Sequence, residues 1–196
     1  MDTTRYWLSC VLIGLLASCV PALEDETAGT QVALINAPAG VRVSFIADAL
    51  QEQVLEVAGC CEFSFTRSQP VRFQETHRDM FGSRAAPQSA SLARNLGAQL
   101  AVMAGAPLFE RTVNSADGGR EIHGSVELRA IVIDAASARQ LATVGSLTFT
   151  ASRFASENEP LPELEQDPIM VELGHRAVAN LAPHLAAVLE DLAGDF

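Results

Sequence analysis

No lysine occurs among the 196 residues, and all thirteen basic positions are arginine. A phosphate-loop lysine, a Schiff-base lysine and a Ser-Lys dyad are therefore excluded, whatever codon bias lies behind the absence. Positive charge is scarce against 24 acidic residues, which leaves a formal net charge of −11. A body of that sign is repelled by phosphate backbones and anionic headgroups, so nucleic acid and electrostatic membrane binding are not expected. The four histidines, His77, His123, His175 and His184, form no HxH or HExxH spacing. His175 and His184 lie nine residues apart, two and a half helical turns, on opposite sides of any shared helix. No metal or other cofactor is expected. A Gly-x-Ser-x-Gly elbow is missing too, since Gly124-Ser125 and Gly145-Ser146 lack the flanking glycine, and there is no CxxC pair and no internal repeat.

What is present begins with a leader. Arg5 precedes the apolar run Trp7-Leu-Ser-Cys-Val-Leu-Ile-Gly-Leu-Leu16, and the small residues Ala17-Ser18 lead to Cys19. The run is too short for the roughly 20 apolar residues of a bilayer span, and it meets Pro21 and then Glu24-Asp25-Glu26. Leu16-Ala17-Ser18-Cys19 resembles the lipobox of bacterial lipoproteins. The resemblance implies that residues 1–18 are a signal peptide removed at Cys19, and that the Cys19 thiol carries lipid. An ordinary secretory leader cut nearby is the alternative. Removal takes Asp2 and Arg5 together, so the net charge of −11 is unchanged. Several acyl chains on one residue hold far more firmly than one, at about 0.8 kcal/mol per buried methylene. Val20 stands where an aspartate would imply inner-membrane retention in enteric-type sorting, so the periplasmic face of the outer membrane is expected. Residues 19–30 lack apolar periodicity and read as a tether.

Residues 31–196 read as a single αβ domain of α+β class, a two-layer or three-layer sandwich. Gln31–Ile35 is a buried strand running into Asn36–Gly40. A helix starts at Ser44 and ends at Gly59, with Phe45, Ile46, Ala49, Leu50, Gln53, Val54 and Val57 mostly on one stripe, and Cys61–Thr66 alternates as a strand does. Residues 67–87 are irregular. A helix over Gln88–Leu96 closes on Gly97, and Gln99–Met103 starts a strand that continues irregularly to Val113. Asn114–Gly119 is a turn. Gly124–Ile133 and Gln140–Phe149 complete a three-stranded meander. Ser156–Pro168 is a loop, and Asp167-Pro168 caps a last helix that Pro183 should kink or split. The expected order is β-α-β-α-β-β-β-α with about five strands in a mixed sheet.

Two stretches, Leu92–Gly105 and Val126–Ser137, resemble a pattern shared by LpoB-type penicillin-binding-protein activators, CsgG-type curli secretion lipoproteins and the amino-terminal domain of TolB. That pattern runs "helix, Leu-Gly-Ala-Asp, strand ending in Gly" and then "strand, Val-Asp-Ala-Ala-Ser-Gly". Its aspartate is Gln99 here, its last glycine is Ala138, and long barrel-building insertions are lacking. The resemblance implies an envelope lipoprotein whose αβ domain recognises another protein and has no enzymatic activity.

Cys60 and Cys61 are adjacent in an oxidising compartment. Strand alternation would send their thiols to opposite faces, which favours two reduced buried side chains, while a vicinal disulfide and an intermolecular thiol stay open. Glu157, Glu159, Glu163, Glu165 and Asp167 form an acidic run that reads as a solvated loop. A divalent-ion or basic-partner site is its alternative. The expected role is a membrane-anchored accessory to another envelope protein. An envelope hydrolase without a recognisable motif and a small-solute-binding lipoprotein are the rivals.

Overall fold

The computed structural model describes residues 29–35, 45–58, 63–67, 85–116 and 118–194. The expected signal peptide, the tether up to residue 28, Cys19, Cys60, Cys61, His77 and most of the irregular connection lie outside them. Among the described residues six strands form one mixed sheet: β1 (Thr30–Ile35), β2 (Phe63–Arg67), β3 (Leu100–Ala116), β4 (Gly119–Asp134), β5 (Gln140–Gly145) and β6 (Phe149–Ser156). Strand order is β2-β1-β3-β4, with β5 and β6 both on the far side of β4. β1 runs parallel to β2 and β3, and every pairing of β4 is antiparallel. The helices are α1 (Ile46–Ala58), α2 (Ala85–Asn95) and α3 (Pro168–Ala193).

The apolar pattern of each strand decides the layers. In β1, Val32 and Leu34 join Leu100, Val102, Leu128, Ala130 and Val132 beneath α1 and α3, while Ala33 and Ile35 join Ala101, Met103, Ile131 and Ile133 beneath α2. Strands buried on both faces need a helix on each. The sandwich therefore has three layers where β1, β3 and β4 run together.

Helix length sets how far each cover extends. The eleven residues of α2 span about 16 Å, whereas the sixteen of β4 span about 50 Å. α2 covers only the end of the hairpin nearest β1. With 26 residues, about 39 Å, α3 lies along most of the opposite face. Gly124 lets it come close, because a Cβ there would stand 2.9 Å from both Leu173 Cδ1 and Met170 Sδ.

α2 ends as the glycine signal requires. Gly97 takes φ +74°, its N–H donates to Arg94 and that of Ala98 to Ala93, closing a Schellman turn. α3 starts on Asp167, whose side chain accepts from the Ile169 N–H at 3.1 Å. It is one continuous helix through Pro183 and is not split there. Pro183 sits on the exposed side, where the carbonyl that loses its N–H partner can turn to water.

The α+β class, the mixed sheet of about five strands and the C-terminal helix are as expected, and two strand boundaries differ. The sequence pattern ends one strand at Phe149, yet the chain there divides into β5 and β6, so the sheet has six strands and the order gains one. Ser146 makes the break: its Oγ accepts from the Leu128 N–H at 2.9 Å and donates to the Leu147 carbonyl at 2.8 Å. Leu147 N–H then turns to Asn180 of α3, and β6 resumes on β4 at Val126. The second correction concerns β4, which starts at Gly119, five residues ahead of Gly124. Polar residues there hid a strand with only one buried face.

Candidate binding face

Beyond the end of α2, the three strands β3, β4 and β6 present unlike faces. Cross-strand register puts Arg111, Arg120 and Arg153 on the side of α3, and Thr112, His123 and Ser152 on the other.

The acidic run lies on the α3 side. Arg111, from β3, reaches Asp167 at 2.7 Å and the Pro162 carbonyl at 2.9 Å. Arg120, from β4, donates to the carbonyls of Ser156 and Glu159. Arg153, from β6, meets Glu159 at 2.6 Å and Asp167 at 3.8 Å. Asp167 is wholly buried. The loop thus crosses the sheet over one arginine from each strand, and for Glu159 and Asp167 the basic partner is the chain itself. Glu157 and Glu163 stay exposed. These arginines are absent from the residues the sequence pattern singles out; the available signal was that they fall on the same alternate positions as Phe109 and Val113, Ile122, and Ala151 and Ala155.

The other face is open to solvent. Thr112, Glu121, Thr150, Ser152 and Phe154 are exposed, with His123, Ser125 and Glu127 half-buried. His123 Nε2 lies 3.3 Å from Glu121, and Glu127 takes Arg129 at 3.2 Å and the Thr148 hydroxyl at 3.3 Å. Phe154 lies over Gly119, where a Cβ would come within 2.7 Å of the ring, and remains 60% exposed. Hydroxyls, ion pairs and one aromatic ring thus lie side by side on this face.

The other two described histidines are separate. His175 packs on Phe45, ring centroids 5.1 Å apart, and His184 is exposed farther along α3. Among the described residues, no group of three or more His, Cys, Asp or Glu is placed to hold a metal ion.

Gln99 and Ala138, the two departures from the resembled pattern, both sit at junctions. Gln99 Oε1 accepts from the Gln31 N–H at 2.7 Å, its own N–H donates to the Gln31 carbonyl, and its carbonyl accepts from Ala135. Ala138 closes the turn from β4 to β5 at φ 58°. Asp134 organises that turn by accepting from the N–H groups of Ala136 and Ser137 and from the Ser137 hydroxyl. The Ser137 hydroxyl is the main reason the Asp134 carboxyl is held below its ordinary range; slight burial opposes it, and the two backbone N–H groups and Arg139 add to it.

A left-handed alanine costs about 1–2 kcal/mol. Glycine would remove that cost while adding about 0.5–1 kcal/mol of chain entropy to the unfolded state. Ala138→Gly is therefore expected to stabilise the fold by about 0.5–1 kcal/mol in urea unfolding. A loss of stability would show that the methyl makes contacts worth more than the strain.

No protein-family model matches the chain, and no curated protein matches it. Among solved structures it is similar to the PelC dodecamer from Paraburkholderia phytofirmans, at 11% identity and TM-score 0.42 over 80% of this chain and 87% of that one. It is also similar to lipoprotein GNA1162 from Neisseria meningitidis, at 11% identity and TM-score 0.36 over 84% and 99%. A third is protein XCC0632 from Xanthomonas campestris, at 11% identity and TM-score 0.39 over 86% and 87%. These are remote likenesses of layout, and no role follows from them.

Proposed function

We propose that this chain is a lipid-anchored protein of the bacterial envelope whose αβ domain binds another envelope protein and turns over no substrate. The observation that carries the proposal is Cys19, placed directly after an apolar segment and the small residues Ala17-Ser18. A thiol at the end of an export leader becomes the attachment point for diacylglycerol, and that modification fixes the compartment. Residues 19–29 then span from lipid to domain, on the periplasmic face of the outer membrane given Val20. Among the described residues no helix is long and apolar enough to cross a membrane. The open face of β3, β4 and β6 supports the binding half of the proposal, since it offers hydroxyls and paired charges across a sheet surface.

Metabolic labelling with palmitate is the test. The native chain should carry label and sediment with membranes, while Cys19→Ala should lose the label and remain uncleaved at that position. An unlabelled native chain, or a labelled Cys19→Ala chain, would overturn the anchor. In crosslinked cells, recovery of no envelope protein with the native chain would overturn the binding role.

A further inference from the structure

We infer that the outer edge of β6 is a self-association seam, on which β6 of a second copy of this chain pairs antiparallel. The inference stands on the strand itself and holds whether or not Cys19 is lipidated.

β6 is bonded to β4 on one side, and among the described residues nothing pairs with its other side. Such an edge presents a row of backbone N–H and carbonyl groups, and the chemistry that satisfies such a row is another extended strand. Protein edges are ordinarily blunted by proline, lysine, bulges or shortness. β3 beyond its pairing with β1 has Pro107 and a shift of register between Gly105 and Leu108. β2 has only five residues, and β5 has six against a register shift in β4. By contrast, Phe149-Thr-Ala-Ser-Arg-Phe-Ala-Ser156 is eight residues long and contains no proline.

Charge decides whose strand it is. With a net charge of −11, two copies repel wherever acidic surfaces meet. β6 is an exception, because it contains no acid and its one charge, Arg153, is already held by Glu159 and Asp167. A basic partner would find no carboxylate on this strand, whereas a second copy meets a neutral strand like its own. A two-fold axis at Ser152 sets the two Ser152 side chains face to face. It also sets Phe154 against Thr150 of the second copy, which covers both exposed rings with a β-branched neighbour.

Directly opposed Cα atoms in an antiparallel pair lie about 4.5–5.5 Å apart, within the span a disulfide bridges. In full-length chain expressed in its membranes and mildly oxidised, Ser152→Cys should form a disulfide-linked dimer several-fold above both the native chain and Ala179→Cys, which places the thiol on the exposed side of α3. Differently tagged Thr150→Cys and Phe154→Cys chains should link to each other and not to themselves. All these side chains are exposed, and matching circular dichroism checks that each variant is folded. Equal dimer yields from the Ser152→Cys and Ala179→Cys chains, no dimer at all, self-linking of the Thr150→Cys chain, or capture of a different protein by the Ser152→Cys chain would each overturn the seam.

Discussion

Asp167→Ala is expected to destabilise the protein by about 3–5 kcal/mol, the range found when one partner of a buried ion pair is removed. Asp167 is fully buried, and its carboxylate does two jobs: it caps α3 through the Ile169 N–H and accepts Arg111 at 2.7 Å. Deleting it leaves a guanidinium whose side chain is only 15% exposed without its closest counter-charge, and frees the first turn of a 26-residue helix. The two contributions separate by chemistry. Asp167→Asn keeps an oxygen for the cap but loses the charge, so it should be less damaging than alanine by about 1 kcal/mol, the ordinary value of a cap. Urea unfolding of both variants measures the difference. Losses below about 1 kcal/mol for each would mean that Arg111 finds adequate solvation without Asp167.

Gly124→Val should cost about 2–3 kcal/mol, while Gly124→Ala should fall within about 1 kcal/mol of the native chain. The distinction comes from what a side chain would meet. A single methyl lands 2.9 Å from Leu173 Cδ1 and Met170 Sδ, both ends of flexible side chains that can give way. Relief of glycine's chain entropy, about 0.5–1 kcal/mol, offsets much of that adjustment. Valine adds two further carbons, stiff about χ1, between β4 and α3, so α3 itself must move outward. If thermal melts showed valine tolerated as well as alanine, the close approach of α3 to β4 would not be required by the fold.

The same contrast between local pattern and distant neighbour explains which elements could be read in advance. The stripe from Phe45 to Val57 recurs at helical spacing, and the helix is there with Ile46, Leu50 and Val54 buried, although Val57 at its end is 52% exposed. Gly97 and Asp167-Pro168 mark a helix end and a helix start, because their chemistry acts within a turn of the backbone. The division of β5 from β6 was not legible, since it depends on the Ser146 hydroxyl finding Leu128, eighteen residues away, and on Asn180 taking the next N–H. For the acidic run, five carboxylates in eleven residues read as solvent-facing, and two of them are instead matched by arginines on the sheet.

By itself the sequence determined the missing lysine chemistry, the αβ class and the caps, because each rests on a residue's own chemistry or on neighbours within one helical turn or strand alternation. The proposed anchor at Cys19 rests on the same local kind of reading. Only the tertiary structure decided the three layers, the open face, the arginines that hold the acidic loop and the unpaired edge of β6. Those depend on which distant segments meet and on how far a short α2 reaches along a long hairpin, and no local pattern encodes that length mismatch.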